Sequence, residues 1–103
     1  MKHPLNDISA FELKEKIAEG TEIRMVDVRE QIEFFTFNIG GKNIPLGSLS
    51  EALEELDYQK DEEIVVICQR GLRSETARQL MAAAGFTGVR NLAGGLLAYR
   101  KIK

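Results

Sequence analysis

The sequence predicts an α/β fold in which a mostly parallel central sheet lies between layers of helices. Strand-like apolar segments alternate with amphipathic helical segments throughout the 103 residues, which is the pattern of a parallel sheet with helices on both faces. Residues 64–68 form a continuous apolar run, as expected of a strand that is covered on both faces. With 44% hydrophobic residues, residues 1–103 are expected to form one domain with one ordinary core.

The first half of the chain is expected to contain two helices and two strands. The capping-box pattern that runs from Ser9 to Glu12 predicts the start of a helix, which Gly20 ends. A turn is expected at Gly40-Gly41, and Pro45 should stand near the end of a strand because proline cannot donate to a ladder. The expected elements are a strand at 23–28, a short helix at 29–35 and a strand at 42–46.

The second half is expected to continue the alternation. A second capping-box pattern, from Ser48 to Glu51, precedes a helix whose apolar face carries Leu49, Leu53 and Leu56. A polar connection at 58–63 leads into the apolar strand. The remaining expected elements are a helix at 74–84 that Gly85 ends, a strand at 89–92, and a helix at 96–102 after Gly94-Gly95.

Composition excludes several function classes. The formal net charge is −2 and no basic stripe appears, so no nucleic-acid partner is expected. The apolar runs are too short to cross a bilayer, and the N-terminus has no apolar signal core, so a soluble, cytoplasmic protein without a membrane partner is expected. A single cysteine excludes an internal disulfide and a metal site built on paired cysteines, and no cofactor or metal is expected.

Cys68 is the residue that points most directly to chemistry. It stands where the apolar strand ends and a short loop leads into a helix, and sites of parallel sheets lie beyond such strand ends. Backbone N–H groups and a helix N-terminus aimed at one sulfur lower a thiol pKa and bind anions. Arg70 and Arg73 precede the helix N-terminus, where each cation costs up to about 1 kcal/mol, and an anion between them would explain their position.

Structural alternatives exist for each of these residues. Cys68 could be a small core hydrophobe, because cysteine is among the most buried residue types. Arg70 could face water, and Arg73 could pair with a carboxylate, for which Asp27, Glu30 and Glu75 are candidates. The single histidine, His3, lies near the chain terminus and is expected to be an exposed residue rather than a catalytic partner of the cysteine.

Four segments resemble the rhodanese family of sulfurtransferases, in order and in spacing. The loop Cys68-Gln69-Arg70-Gly71-Leu72-Arg73-Ser74 resembles the family's C-x-x-G-x-R-S active-site loop. The other segments are Asp27-Val28-Arg29-Glu30, similar to a D-V-R-E element, Asn43-Ile44-Pro45-Leu46, similar to an N-I-P-L strand, and the stretch from Gly85-Phe86 through Leu92 to Gly94-Gly95. The resemblance covers about residues 8–99 and implies the three-layer rhodanese-like fold.

The resemblance also implies an activity and site roles. The family's cysteine thiolate takes sulfane sulfur from thiosulfate, polysulfide or a persulfide, and passes it to a thiol or protein acceptor through a cysteine persulfide. Cys68 would be the catalytic residue, and the substrate-binding residues would be Gln69, Arg70, Gly71, Leu72, Arg73 and Ser74. Arg70 would hold the departing oxyanion and Arg73 would fix the loop. Asp27 and Arg29 either brace this loop or merely cap their strand.

Loop length disfavours a phosphatase. Related phosphatases and arsenate reductases have a C-x5-R loop, whereas four residues separate Cys68 from Arg73 here, and the smaller ring fits a sulfur atom better than a tetrahedral phosphate. Because the chain has no second cysteine, the sulfur acceptor must be external.

A weaker resemblance and a second class of function remain open. The stretch from Asn38 to Leu46 is similar to rhodanese domains fused to adenylating enzymes of molybdopterin and thiamine synthesis, and Asn38 stands where many family members have histidine. It adds a sulfur-carrier protein to the candidate partners, besides small sulfur donors and thiol acceptors. The alternative is a binding or regulatory module without turnover, with Phe34, Phe35 and Phe37 at its contact surface.

Overall fold

The computed structural model describes residues 7–102, which are built around one five-stranded sheet. All neighbouring strands are parallel, in the order β1-β5-β4-β2-β3, so the predicted α/β architecture is confirmed and the sheet is wholly rather than mostly parallel. The strands are β1 (Asp7–Ile8), β2 (Arg24–Asp27), β3 (Lys42–Asn43), β4 (Ile64–Ile67) and β5 (Val89–Leu92).

Among residues 7–102, five helices accompany the strands. They are α1 (Ala10–Ala18), α2 (Gln31–Thr36), α3 (Leu49–Ala52), α4 (Leu72–Ala83) and α5 (Gly95–Lys101), and two 3-10 turns, Leu46–Ser48 and Leu53–Glu55, flank α3. None of the helices within residues 7–102 is both long and apolar enough to span a bilayer.

The central strand β4 divides its side chains between two apolar cores. Val65 and Ile67 belong to the core that also holds Leu13 of α1 and Leu96 of α5. Ile64 and Val66 belong to the opposite core, which also contains Ala77 and Met81 of α4. All four β4 side chains are fully buried, and each such burial contributes about 1.5–3 kcal/mol. The continuous apolar run is therefore explained by helices on both faces.

Several element boundaries differ from the sequence prediction. Helix α4 begins at Leu72 rather than at residue 74, so the second half of the predicted loop forms the first helical turn. The capping box predicted at Ser48 is wrong, because its side chain makes no cap hydrogen bond and a 3-10 turn precedes α3. At Ser9 the prediction holds in part, because Ser9 Oγ accepts from the Glu12 N–H at 3.0 Å.

Two further differences lie at the edges of the sheet. The predicted strand at 42–46 ends at Asn43, because a 3-10 turn begins directly after Pro45. The two-residue strand β1, which pairs with β5, has no periodicity that the sequence could reveal. His3 lies outside the described residues.

Candidate functional site

The site lies where the carboxyl ends of the parallel strands meet. Cys68 directly follows β4, which is the middle strand of the sheet. It therefore lies between the end of β2 and the end of β5. After β2 the chain continues to β3 on one side, and after β4 it continues to β5 on the other. Such a reversal of direction opens a crevice at the carboxyl ends of the strands, where ligands bind in open α/β sheets.

The Cys68 side chain is only 1% exposed, a burial that a structural core cysteine would share. The hydrogen-bond partners of Sγ distinguish a structural core cysteine from a thiol that is held for chemistry. The backbone N–H groups of Gly71 and Ser74 donate to Sγ at 3.1 and 3.3 Å, and the Ser74 hydroxyl lies 3.2 Å from the same sulfur. The sulfur therefore points into a ring of donors, as the sequence predicted, although it also touches the apolar core.

These donors favour the thiolate form of Cys68. Burial acts to raise the pKa of the thiol, but hydrogen bonds from the Ser74 side chain and from the N–H groups of Ser74, Arg70 and Gly71 act against it. The net effect is a Cys68 pKa below its ordinary value. The Ser74 hydroxyl makes the largest of these lowering contributions, and the backbone N–H groups that the loop pattern suggested add to it.

Two glycines allow the loop to close around the sulfur. Gly71 has φ of +94°, a left-handed conformation that glycine adopts without the steric cost of a Cβ. Gly95, the first residue of α5, is packed so closely that a Cβ there would overlap the Gln69 carbonyl. The N–H groups of Leu96 and Leu97 donate to the carbonyl oxygens of Cys68 and Gln69 at 2.9 and 3.0 Å. The start of α5 therefore fixes the start of the loop.

Asn91 of β5 holds the loop from below. Its Nδ2 donates to the Gly71 carbonyl at 3.1 Å, and its Oδ1 accepts from the Ser74 hydroxyl. Asn91, Ser74 and Cys68 form a buried chain of polar groups that ends on the sulfur. The sequence prediction missed Asn91, because a lone asparagine in a strand gives no signal of this kind.

The two loop arginines differ in their surroundings. Arg73 forms a two-pronged ion pair with Glu33 of α2, at 2.8 and 3.1 Å, so Arg73 does pair with an acid, and this acid was not among the three candidates. Arg70 is exposed and makes no side-chain hydrogen bond or ion pair with any residue between 7 and 102. Arg70 is therefore the loop cation that is available to a ligand.

Glu33 is a residue that the sequence prediction missed. The hydrogen bonds from Arg73 lower the pKa of its carboxyl to about 2, with a further contribution from the Glu30 N–H, which donates to Oε1 at 2.9 Å. The same ion pair raises the pKa of Arg73. Glu33 thereby connects helix α2 to the first turn of helix α4.

Asp27 and Arg29 pair with each other rather than with the loop. Arg29 donates to both carboxylate oxygens of Asp27 at 2.9–3.2 Å, and the pair is almost fully buried. Arg29 also donates to the Phe37 carbonyl at 2.6 Å, which ties the two ends of the α2 segment together. Within the described part of the chain, no hydrogen bond joins either residue to residues 69–74. Arg29 is connected to the site through the Phe37 carbonyl at the end of α2.

Two cavities that share lining residues lie at the site, and Cys68 lines the first of them. The first, of about 250 Å³, is lined by Glu33, Cys68, Gln69, Arg70, Leu72 and Arg73. We call the second, of about 390 Å³, the side groove, and its lining residues are Arg29, Ile32, Glu33, Thr36, Phe37, Gln69 and Arg100. Glu33 and Gln69 line both. Across residues 7–102, no group of three or more His, Cys, Asp or Glu side chains could hold a metal ion.

The three phenylalanines of the alternative interpretation do not form one exposed surface. Phe35 is 72% exposed, whereas Phe34 and Phe37 are partly buried and Phe37 packs against the α1–α5 core. The exposed apolar side chains near the cavities are instead Ile32 and Leu72, each 76% exposed. The internal Gly40-Gly41 forms the predicted turn, and Asn38 shapes it by accepting from the Gly40 N–H at 2.9 Å.

Comparisons with known proteins agree with these features. The sequence profile of the Rhodanese-like domain matches residues 9–102. The chain is 36% identical to the human Thiosulfate:glutathione sulfurtransferase, with 91% of this chain and 90% of that protein covered. It is 38% identical to YtwF of Bacillus subtilis, whose name assigns it provisionally to the sulfurtransferases, with 92% and 90% covered.

Two further comparisons bear on the fold and on the weaker resemblance. The solved structure of the human single-domain sulfurtransferase TSTD1 has a TM-score of 0.81 and 31% identity, covering 95% of this chain and 97% of that one. The Adenylyltransferase and sulfurtransferase MOCS3-1 of Zea mays is 35% identical over 89% of this chain, which corresponds to only 21% of that longer protein. The similarity to domains of adenylating enzymes is therefore confirmed.

Proposed function

The chain belongs to the rhodanese-like family, and on that basis we propose that it transfers sulfane sulfur through a persulfide on Cys68. One observation carries the proposal: the Cys68 Sγ, at the wall of a cavity, accepts two backbone N–H bonds in a loop whose Arg70 has no acidic partner within residues 7–102. Such an arrangement stabilises both a thiolate and an incoming anion.

The first half-reaction loads the sulfur. The Cys68 thiolate attacks the outer sulfur of thiosulfate, an S–S bond forms to Sγ, and the S–S bond within thiosulfate breaks to release sulfite with its electron pair. Thiolate and thiosulfate repel each other, so cationic groups at the cavity lower the cost of their approach. Exposed Arg70 is suited to hold the departing oxyanion, whereas Arg73 is neutralised by Glu33 and serves to position the loop.

The second half-reaction passes the sulfur to an external thiol. The acceptor thiol attacks the outer persulfide sulfur, a new S–S bond forms, the bond to Sγ breaks, and Cys68 leaves as a thiolate while the thiol proton ends on the transferred sulfur. Cys68 is the only cysteine, so no internal thiol can capture the sulfur first. Glutathione is the proposed acceptor, because the human relative that carries it in its name aligns with almost the whole chain.

Mass spectrometry of the intact protein tests the proposal. After incubation with thiosulfate and removal of the donor, we expect a mass increase of one sulfur atom, which glutathione removes and which Cys68→Ser does not show. A protein that gains no sulfur from thiosulfate, polysulfide or a small persulfide is instead a binding module on the same scaffold. Ser replaces the sulfur with the smaller oxygen and leaves the rest of the side chain unchanged, and unchanged circular dichroism of the variant serves as its folding control.

A further inference from the structure

The side groove has a feature that the sulfur chemistry leaves unexplained. One of its lining residues is Arg100 of α5, which is exposed and makes no ion pair or hydrogen bond with any residue of the described part of the chain. Its guanidinium lies 4.1 Å from the centroid of the Phe37 ring, a cation–π contact. The contact orients the guanidinium and leaves its donors free.

The Phe37 ring, over which the Arg100 guanidinium lies, is held in place by its neighbours. The Phe37 ring packs against the α1–α5 core, and the Phe37 carbonyl accepts from Arg29, whose guanidinium is itself fixed on Asp27. A guanidinium stacked on such a ring has lost much of its conformational freedom before a ligand arrives, which lowers the entropic cost of binding.

The side groove adjoins the cavity that Cys68 lines. Gln69 and Glu33 line both, and the N–H of Leu96 donates to the Cys68 carbonyl. Arg100 is four residues beyond Leu96, so it lies about 6 Å further along the helix axis and on the same side of α5. A ligand with its sulfur at Cys68 and an anionic group at Arg100 would therefore span the two cavities.

The charge of this face also favours an anion. The whole chain carries a net charge of −2, yet neither Arg70 nor Arg100, the exposed cations at the two cavities, has an acidic partner among residues 7–102. Within the part of the chain that the structure describes, Glu33 is the only carboxylate that lines either cavity, and Arg73 already neutralises it. Together the two cavities reach the size of ordinary small-molecule sites, about 300–1,000 Å³.

We propose that the side groove is the acceptor subsite, and that Arg100 binds a carboxylate of a small thiol whose carboxylate lies several bonds away from its sulfur. This inference rests on the proposed function, because it names where the acceptor of that reaction binds. Arg100 would bind the acceptor in the second half-reaction and would take no part in the first, in which the Cys68 loop receives the sulfur. A guanidinium suits this role because its planar donors match a carboxylate.

Discharge of the loaded persulfide tests the proposal. Arg100→Ala should lower the second-order rate constant for discharge by glutathione roughly tenfold, the size of one charge-assisted hydrogen bond. Discharge by cysteamine, which has no carboxylate, and loading from thiosulfate should change less than twofold. Arg100→Lys keeps the charge but not the fork of donors, and should fall between the wild type and Arg100→Ala.

Lys101→Ala is the matched control, because it removes one exposed cation from the same helix outside the groove. If Lys101→Ala slows discharge by glutathione as much as Arg100→Ala does, the effect is long-range and the subsite is overturned. The same conclusion follows if Arg100→Ala slows cysteamine and glutathione equally.

A binding measurement separates this inference from the proposed function. S-Methylglutathione cannot accept sulfur, so its binding is independent of turnover. In an NMR titration, we expect it to shift the amide signals of Phe37, Gln69 and Arg100 in the wild type and to bind Arg100→Ala roughly tenfold more weakly. Equal binding by both proteins overturns the subsite and leaves the persulfide chemistry untouched. Absence of persulfide formation overturns the proposed function itself.

Discussion

Ser74 places two donors on a single sulfur atom. Its N–H and its hydroxyl both lie within 3.3 Å of Cys68 Sγ, and the hydroxyl also donates to Asn91 Oδ1. The one hydroxyl proton cannot serve both acceptors at once. With a neutral thiol it stays on Asn91 and the S–H can donate to Ser74 Oγ, whereas a thiolate attracts the hydroxyl proton to itself. Asn91 Oδ1 therefore holds the hydroxyl beside the sulfur in the neutral state, whereas the bond from Asn91 Nδ2 to the Gly71 carbonyl needs no hydroxyl proton and supports the loop in both states.

Ser74→Ala tests this contribution at the scale of one residue. The variant retains the N–H bond but loses the hydroxyl, so we expect the pKa of Cys68 to rise, and the alkylation rate at pH 7 to fall several-fold because the thiolate is the nucleophile. The pH profile of iodoacetamide alkylation measures both quantities.

Thr76→Ala removes an exposed hydroxyl from the same helix and is the control. It should leave the alkylation midpoint where it is in the wild type. If Ser74→Ala also leaves it there, the hydroxyl makes no difference to the thiolate and the polar chain through Asn91 has only a structural role.

The sequence predicted the residues of the loop better than the residues that support it. Cys68, Arg70 and Gly71 could be identified because a thiol, a cation and a glycine at a strand end are each unusual there. Glu33 and Asn91 could not, because their roles depend on contacts between distant parts of the chain, 40 residues apart for Arg73–Glu33 and 17 for Ser74–Asn91. Nothing in the local pattern of either residue indicates such a contact.

At the scale of elements, α2 and α4 are joined beside the sulfur by the Glu33–Arg73 pair. Helix α2 has no buried residue, so its position depends on such polar contacts and on the Arg29–Phe37 bond at its end. The first turn of α4 carries both Arg73 and Ser74. A change in the position of α2 would therefore reach the donors around Cys68.

Glu33→Gln should weaken this connection in a pH-dependent way. Because the pKa of Glu33 in the folded protein is about 2, below the ordinary value of about 4.3, its ion pair stabilises the fold above pH 4.3 and this contribution is lost as the pH falls toward 2. At pH 7 the variant should be less stable by about 0.5–1 kcal/mol, as for other partly exposed pairs.

Urea unfolding between pH 2 and pH 7 measures the difference in the free energy of unfolding between the wild type and Glu33→Gln. This difference should shrink toward zero as the pH approaches 2. Glu51→Gln changes an exposed glutamate of α3 and is the control. It should change the free energy of unfolding little at any pH. A Glu33→Gln deficit that is the same at pH 2 as at pH 7 contradicts a contribution from the charged pair.

The element boundaries show where local sequence patterns have limited power. The β4 run and the face of α4 were predictable because burial on both sides of a sheet imposes a continuous apolar pattern and helix packing imposes a periodic one. The start of α4 was not, because Leu72 is exposed and Gly71 looks like part of a longer loop. The early start of the helix places the Ser74 N–H 3.3 Å from the Cys68 Sγ.

At the scale of the whole molecule, parallel topology collects the site from distant parts of the sequence. The ends of β2, β4 and β5 lie at the same edge of the sheet and supply the Asp27–Arg29 pair, Cys68 and the Gly94-Gly95 turn, respectively. The fold class was predictable from alternation alone, and in a parallel sheet that alternation also determines the edge at which the site lies.

The central claim is that this edge makes negative sulfur stable on Cys68. Titration of the thiolate absorbance of the wild type, with Cys68→Ser subtracted to remove the two tyrosines, tests it most directly because the chain has no other thiol. We expect a single ionisation with a midpoint below the ordinary cysteine value of about 8.5. A midpoint at or above that value would mean that burial outweighs the surrounding donors, and would contradict the account.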